Sequence, residues 1–205
     1  MDAAVKRPRV DDDREVELLD AAIHVLAEVG YDRMTMDAVA LQAKASKATL
    51  YRRWSSKAEL VVDAVSRAKG VPDLESAPDT GSLRADLLSL SCGPDGMADR
   101  LPLSVLGGLM TALHTDATLS AAWRERFLAP RLAVVHAAFE RAVERGEVSA
   151  AADLSLLEQV VPSMCTFRST VLSRRVDETF VAAVIDSVVL PAAAHPVHPD
   201  KKEPE

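Results

Sequence analysis

Apolar and polar positions recur with a period of three to four residues along nearly the whole chain, which predicts helix after helix. Val16, Leu19, Ile23 and Leu26 share one face of a first helix, and Gly30 follows as its stop. Met36, Val39, Ala40 and Ala43 form a second, shorter stripe, with Thr35 at the N-cap position and Asp37 in the first turn. The pattern breaks over Lys44, Ala45 and Ser46. Ser46 can cap a third helix over 47–53, whose Leu50 continues the buried set. Ser56 and Glu59 make a Ser-x-x-Glu capping box for a fourth helix, with Leu60, Val61, Ala64, Val65 and Ala68 on its inner face. Trp54 is read as core, sealing the end of the third helix. Two short helices on a tight connection, held by a longer one, make a helix-turn-helix.

Residues 70–81 (GVPDLESAPDTG) are rich in Pro, Gly and acid and read as a linker. Helical patterns resume at Leu83, Leu87 and Leu90 and stop at Cys92, Gly93 and Pro94. The next runs over 103–114, where Gly107 and Gly108 leave room for another helix or a ligand to approach. A longer run covers 117–145, carries Trp123, Phe127, Val134 and Phe139, and is expected to break or kink at Pro130. Patterns over 154–174, with a kink at Pro162, and over 176–190 complete the set. The expected fold is all-α: an N-terminal three-helix helix-turn-helix domain (13–69) joined through the linker to a larger helical domain (82–190). A basic arm (1–12) and a Pro-rich tail (191–205) are expected to be disordered.

Composition agrees. The 205 residues are 48% apolar and only 4% aromatic, which suits packed helices. Charge changes the picture more. The net charge is −7, yet residues 33–57 hold six basic side chains (Arg33, Lys44, Lys47, Arg52, Arg53, Lys57) and one acid, Asp37, a local +5. A compact cationic patch over a helix-turn-helix suits a phosphate backbone. At ~1.5 Å per residue a helix over 47–53 is about 10 Å long, and it fits a major groove roughly 12 Å wide. Ser46, Lys47, Thr49, Tyr51 and Arg52 are expected to meet the groove and its phosphates. Thr35, Arg53 and Lys57 are expected to hold the backbone, Lys57 together with the amino groups of its helix terminus. Lys47 and Arg52 suit guanine, as long cationic donors. Lys6, Arg7 and Arg9 could reach a minor groove or stay in water. The alternative is a helical binding protein whose basic patch engages a protein or an acidic surface. From residue 71 onward the balance reverses to 12 basic and 19 acidic residues, a surface not meant for nucleic acid.

Other chemistry is sparse. No Gly-rich phosphate loop, HExxH or GxSxG occurs, so an enzyme is not expected, nor a cofactor. Cys92 and Cys165 lie far apart in sequence and read as reduced core thiols of a cytoplasmic protein. His114 and His136 read as structural or surface residues, and His195 and His198 as solvated, so no metal site is expected. No signal peptide and no membrane span is expected. Phe180, Val181, Val184, Ile185, Val188 and Val189 cover more of a helix than one core face needs. A second copy of the chain can take the surplus, with Phe180, Val184 and Val188 at the interface.

One resemblance joins these readings. Thr35, Ala40, the run Ser46-Lys47-Ala48-Thr49-Leu50-Tyr51, Trp54 and Lys57, behind a helix ending at Gly30-Tyr31, resemble the DNA-binding domain of TetR-family transcriptional repressors. The likeness covers roughly 13–68. Lys44 departs from it, standing where the family usually has Gly in the turn. The resemblance implies that the second domain holds a small-molecule pocket and a dimer interface made by its last two helices. It implies a homodimeric repressor on a palindromic site in double-stranded DNA, released by an effector. Leu106, Met110, Trp123, Phe127, Met164 and Phe167 are the candidate lining, each equally readable as plain core. Arg124 and Arg168 could meet a ligand carboxylate or serve as surface or interface pairs.

Overall fold

The computed structural model describes residues 10–70, 74, 77–92 and 103–196. Residues 1–9 of the basic arm, Pro94 and His198 lie outside them, as does the side chain of Leu106, while residues 10–12, expected in the arm, already belong to the first helix. Among the described residues every regular element is helical, and the chain divides into two compact units.

The first unit comprises residues 1–68 and 101–127. Helix α1 (Val10–Arg33) breaks at Gly30, whose φ of 74° lies in the left-handed region that glycine enters without a Cβ penalty. Helices α2 (Met36–Gln42), α3 (Lys47–Tyr51) and α4 (Lys57–Lys69) follow as the periodicity predicts. Thr35 accepts from the Ala38 amide at 3.1 Å and Ser46 from the Thr49 amide at 3.1 Å, so both caps work as read. The capping box of α4 is offset. Ser56 takes the Glu59 amide, but the Glu59 carboxylate reaches back one residue further, to the Ser55 amide.

Helix α3 is shorter than the expected 47–53. Arg52 is its C-cap, and the amides of Arg53 and Trp54 both fold back onto the Leu50 carbonyl. Leu18, Met34, Val39, Leu50, Trp54, Leu60 and Val61 form one core. Helices α6 (Leu103–Thr115) and α7 (Ala117–Ala122), with the π-helical turn Trp123–Leu128, bring Leu109, Leu119, Trp123 and Phe127 into that same core. Helix α1 packs on α6 as well as on α2, so this compact unit takes in α6 and α7 besides the helix-turn-helix. A Cβ at Gly107 or Gly108 meets nothing within 4 Å, so neither glycine marks a close approach.

The second unit comprises residues 69–100 and 128–205. Helices α5 (Leu83–Cys92), α8 (Ala129–Glu144), α9 (Leu154–Thr166) and α10 (Glu178–Val184) pack around Leu83, Leu87, Phe139, Leu157, Val161, Val181 and Ile185. Pro130 is the second residue of α8, directly after the π-helical turn, and α9 runs through Pro162. Phe167–Val171 and Ile185–Val189 are π-helical. Helix α11 (Leu190–Ala194) carries the last helix past the boundary expected at 190. Ala193 is fully buried, and its carbonyl accepts from the Ser149 amide at 3.0 Å.

Candidate nucleic-acid interface

The short helix α3 buries Leu50 and turns Lys47, Ala48, Tyr51 and the following Arg52 outward. Ser46 and Thr49 share a hydroxyl–hydroxyl bond of 2.8 Å at its N-terminus. Lys47 meets Asp37 of α2, its Nζ lying 2.9 Å from Oδ1 and 3.0 Å from Oδ2. That carboxylate holds the Lys47 ammonium above its ordinary pKa. The same Nζ lies 5.9 Å from the centre of the Tyr51 ring, which is half exposed. Thr35, Lys44 and Arg52 are exposed beside this row. Ser46, Lys47, Thr49, Tyr51 and Arg52, the residues expected at the groove, thus stand together on the rim of one unit, with Thr35 and Lys44 beside them.

Two of the expected phosphate contacts are engaged inside the protein. Arg53 lies beyond the end of α3 and bonds to Glu15 of α1. Lys57 donates to the Tyr31 carbonyl at 2.9 Å, and its Nζ stands 4.1 Å from the Tyr31 ring centre. Both cations pack α1 against the helix-turn-helix. Local sequence gave no sign of this, since their partners lie tens of residues away.

The turn itself depends on a residue that helical periodicity leaves unmarked. Arg14 of α1 donates to the carbonyls of Ala43 (3.0 Å) and Lys44 (3.2 Å). Lys44 has φ 49°, the left-handed backbone expected there. A side chain in that region costs on the order of 1 kcal/mol. Lys44→Gly is thus expected to raise the thermal midpoint, by about 1 kcal/mol of stability, while weakening DNA binding through the lost charge. A lowered midpoint in a circular-dichroism melt would count against a strained turn.

Behind the rim, a polar network ties α4 and α1 to the later helices of the same unit. Trp54 Nε1 donates to Asp63 at 2.9 Å, and Arg126 donates to the same carboxylate at 3.0 Å. The Tyr31 hydroxyl donates to Asp116 at 2.7 Å. Burial, and then this bond, raises the Tyr31 pKa. Amide bonds at the α7 N-terminus, that from Leu119 foremost, and the Tyr31 hydroxyl hold Asp116 below the usual carboxylate range.

This geometry, a short capped helix with a cationic outer row, agrees with the similarity of the chain to known proteins. Residues 18–64 match the family described as "Bacterial regulatory proteins, tetR family", and residues 77–188 match "Tetracyclin repressor-like, C-terminal domain". The chain belongs to the TetR family. It is 40% identical over 177 residues to a DNA-binding transcriptional repressor TetR of Mycobacteroides abscessus, covering 86% of this chain and 92% of that one. An uncharacterized HTH-type transcriptional regulator of Mycobacterium tuberculosis is 38% identical over 182 residues, 87% of each chain. The crystal structure of the TetR-family transcription regulator SCO0332 superposes with a TM-score of 0.61 at 29% identity, covering 91% of this chain and all of that one. As a TetR-family member the chain is a DNA-binding transcriptional regulator, and α2 and α3 are its helix-turn-helix.

The remaining expected site residues fall into two groups. Met110, Trp123 and Phe127 belong to the first unit, where the two aromatic rings stack with centroids 3.9 Å apart. Met164 and Phe167, expected to line a pocket, are instead exposed on the second unit, at 40% and 51%. Helical spacing shows that a face is apolar and leaves open which way it points. Val184, expected at a dimer interface, is 4% exposed and belongs to its own unit's core, whereas Val188 is 43% exposed. Phe180 is half-buried beneath the Arg168 guanidinium, 4.2 Å from its ring centre. His136 bonds to Glu158, which with neighbouring Glu140 raises its pKa. Burial pushes the Cys165 thiol up to about 11, the behaviour of an inert core cysteine. No group of three or more metal-type ligands occurs among the described residues, nor does a helix long and apolar enough to cross a membrane.

Proposed function

We propose that the protein is a homodimeric cytoplasmic repressor that grips a palindromic operator and leaves it when a small molecule binds. The observation that carries the reading is the outer row of α3. Ser46, Lys47, Tyr51 and Arg52 all face outward from a helix that buries only Leu50. In this reading Lys47 and Arg52 meet base edges. Ser46, Thr49, Tyr51, Thr35 and Lys44 meet the backbone. Arg53 and Lys57 hold the head together and add charge near the phosphates.

The dimer has its own support. Leu156, Met164, Phe167, Val171, Leu172 and Val188 are 40–64% exposed on the last helices of the second unit. Five large apolar side chains left in water along α9 and its continuation, with Val188 on the last helix, suit a self-complementary contact. Met164 and Phe167 pass from the pocket to this face, with Val188 and Phe180 beside them, and Val184 supports it from within. For the effector, Met110 of α6 and the Trp123–Phe127 stack remain the proposed apolar lining.

Sedimentation tests the arrangement. The wild-type chain is expected to sediment at twice its 22.0 kDa mass. The double variant Phe167→Glu, Val171→Glu is expected to sediment as a folded monomer and to lose at least about tenfold in affinity for a selected operator, because two half-sites are no longer linked. A wild-type monomer at micromolar concentration that binds the operator as tightly as the dimer is supposed to would remove the dimer from the proposal.

A further inference from the structure

We propose that Arg14 and Glu15, consecutive residues of α1, hold α3 at its two ends and so set the angle at which it enters the groove. This deepens the DNA-binding reading above and rests on it. Both are then positioning residues for base recognition, acting through the backbone of the turn and through Arg53.

Helix α3 cannot aim itself. It has five residues and buries only Leu50, with Trp54 buried just past its end. A helix this short has little stability of its own. The apolar contacts of Leu50 and Trp54 are non-directional, so they fix its depth rather than its tilt. Directional bonds from α1 reach both flanks. At the entry, Arg14 Nη2 donates to the Ala43 carbonyl at 3.0 Å and to the Lys44 carbonyl at 3.2 Å. Ala43 is the C-cap of α2, where carbonyls lack helical donors and favour a cation. At the exit, Glu15 accepts from the guanidinium of Arg53, the residue after the α3 C-cap. The turn before α3 and the residue behind it are thus tied to adjacent positions of a single long helix.

DNA separates aim from attraction. Phosphates draw cations through a field that reaches about 10 Å at moderate salt, and a small tilt changes little. Base edges need side chains held within about 0.5 Å and 10–20°. Loosening either end of α3 therefore costs sequence preference and leaves the pull of the backbone in place. Glu15 makes the separation sharp, because on charge alone an acid opposes the hold on phosphates. Its side chain is 48% exposed, and an ion pair so open adds little to stability. Losing it shows in the aim of α3 rather than in the melting of the chain.

Fluorescence anisotropy of the full-length protein tests this, on a selected operator and on an unrelated duplex of the same length at one salt concentration. The wild type is expected to prefer the operator by about a thousandfold or more. Glu15→Gln is expected to cut that ratio about tenfold. It should bind the operator less tightly and the unrelated duplex as tightly or more so, since a negative charge is gone. Its thermal midpoint stays within about 2 °C of the wild type. Arg14→Lys keeps the charge without the planar fork, and is expected to cut the ratio at least about threefold with unrelated duplex bound as before. A Glu15→Gln ratio equal to that of the wild type, or affinities for the two duplexes that move together, overturns the inference while DNA binding stands. A wild type that prefers no duplex removes the DNA-binding reading itself.

Discussion

Replacing Asp86 with alanine is expected to cost the second unit about 3 kcal/mol. Asp86 lies at the start of α5 and is wholly buried. Its Oδ1 accepts from both the amide and the hydroxyl of Thr80, each at 2.7 Å. The guanidinium groups of Arg145 and Arg141 approach Oδ2 to 3.7 Å and 3.9 Å. Removing one partner of a buried charge cluster costs about 3–5 kcal/mol, and an orphaned buried donor about 1–3. The lower end applies, because both arginines are about a quarter exposed and keep Asp79, and Arg145 also keeps Glu147. Asp86→Asn retains an acceptor for Thr80 and is expected to lose less. Chemical denaturation of the three proteins measures the difference. A loss below about 1 kcal/mol for alanine would mean that the cluster is held by Asp79 and Glu147 alone.

Operator binding is expected to weaken about a thousandfold between 50 and 200 mM salt. Lys44 and Arg52 stand exposed on each head, with Lys47 beside them and Arg53 and Lys57 half-buried behind. Two heads then neutralise on the order of six phosphates, and log affinity falls with log salt at a slope near −5. The slope is no steeper because Arg53 and Lys57 are bonded to Glu15 and Tyr31. Fluorescence anisotropy on a selected operator gives the slope directly. A line flatter than about −2 would mean that the cationic row does not meet phosphates. Arg52→Ala should flatten the slope by about 2 for the dimer. Lys57→Ala should mainly lower the melting temperature of the head, by loosening α4 from Tyr31.

What could be read without coordinates was local. The caps at Thr35 and Ser46 and the stop at Gly30 depend on residues within one helical turn, and sequence displays such neighbours side by side. Arg14, Asp63, Asp116 and Glu15 act across tens of residues, where no spacing rule applies. The packing of α6 onto α1 escaped for the same reason. Met164, Phe167 and Val184 show a second limit. Periodicity orders side chains around a helix axis, but the packing of neighbouring helices decides which sector is inside. The pairing of Asp37 with Lys47 was nearest to being legible, as a lone acid one short turn away from a base.

The π-helical turn at Ile185–Val189 explains a pattern that an ordinary helix would spoil. Val181, Ile185, Val189 and Ala193 are all buried, at strict intervals of four. In a regular helix of 3.6 residues per turn each such step would drift about 40° around the axis, and Ala193 would end up well off the inner side. The slower winding of the π turn cancels the drift. Here the number of residues, rather than the identity of any of them, aims the end of the chain. Deleting a single amino acid between 185 and 189 would restore standard winding and swing the terminal segment off its seat on Ser149.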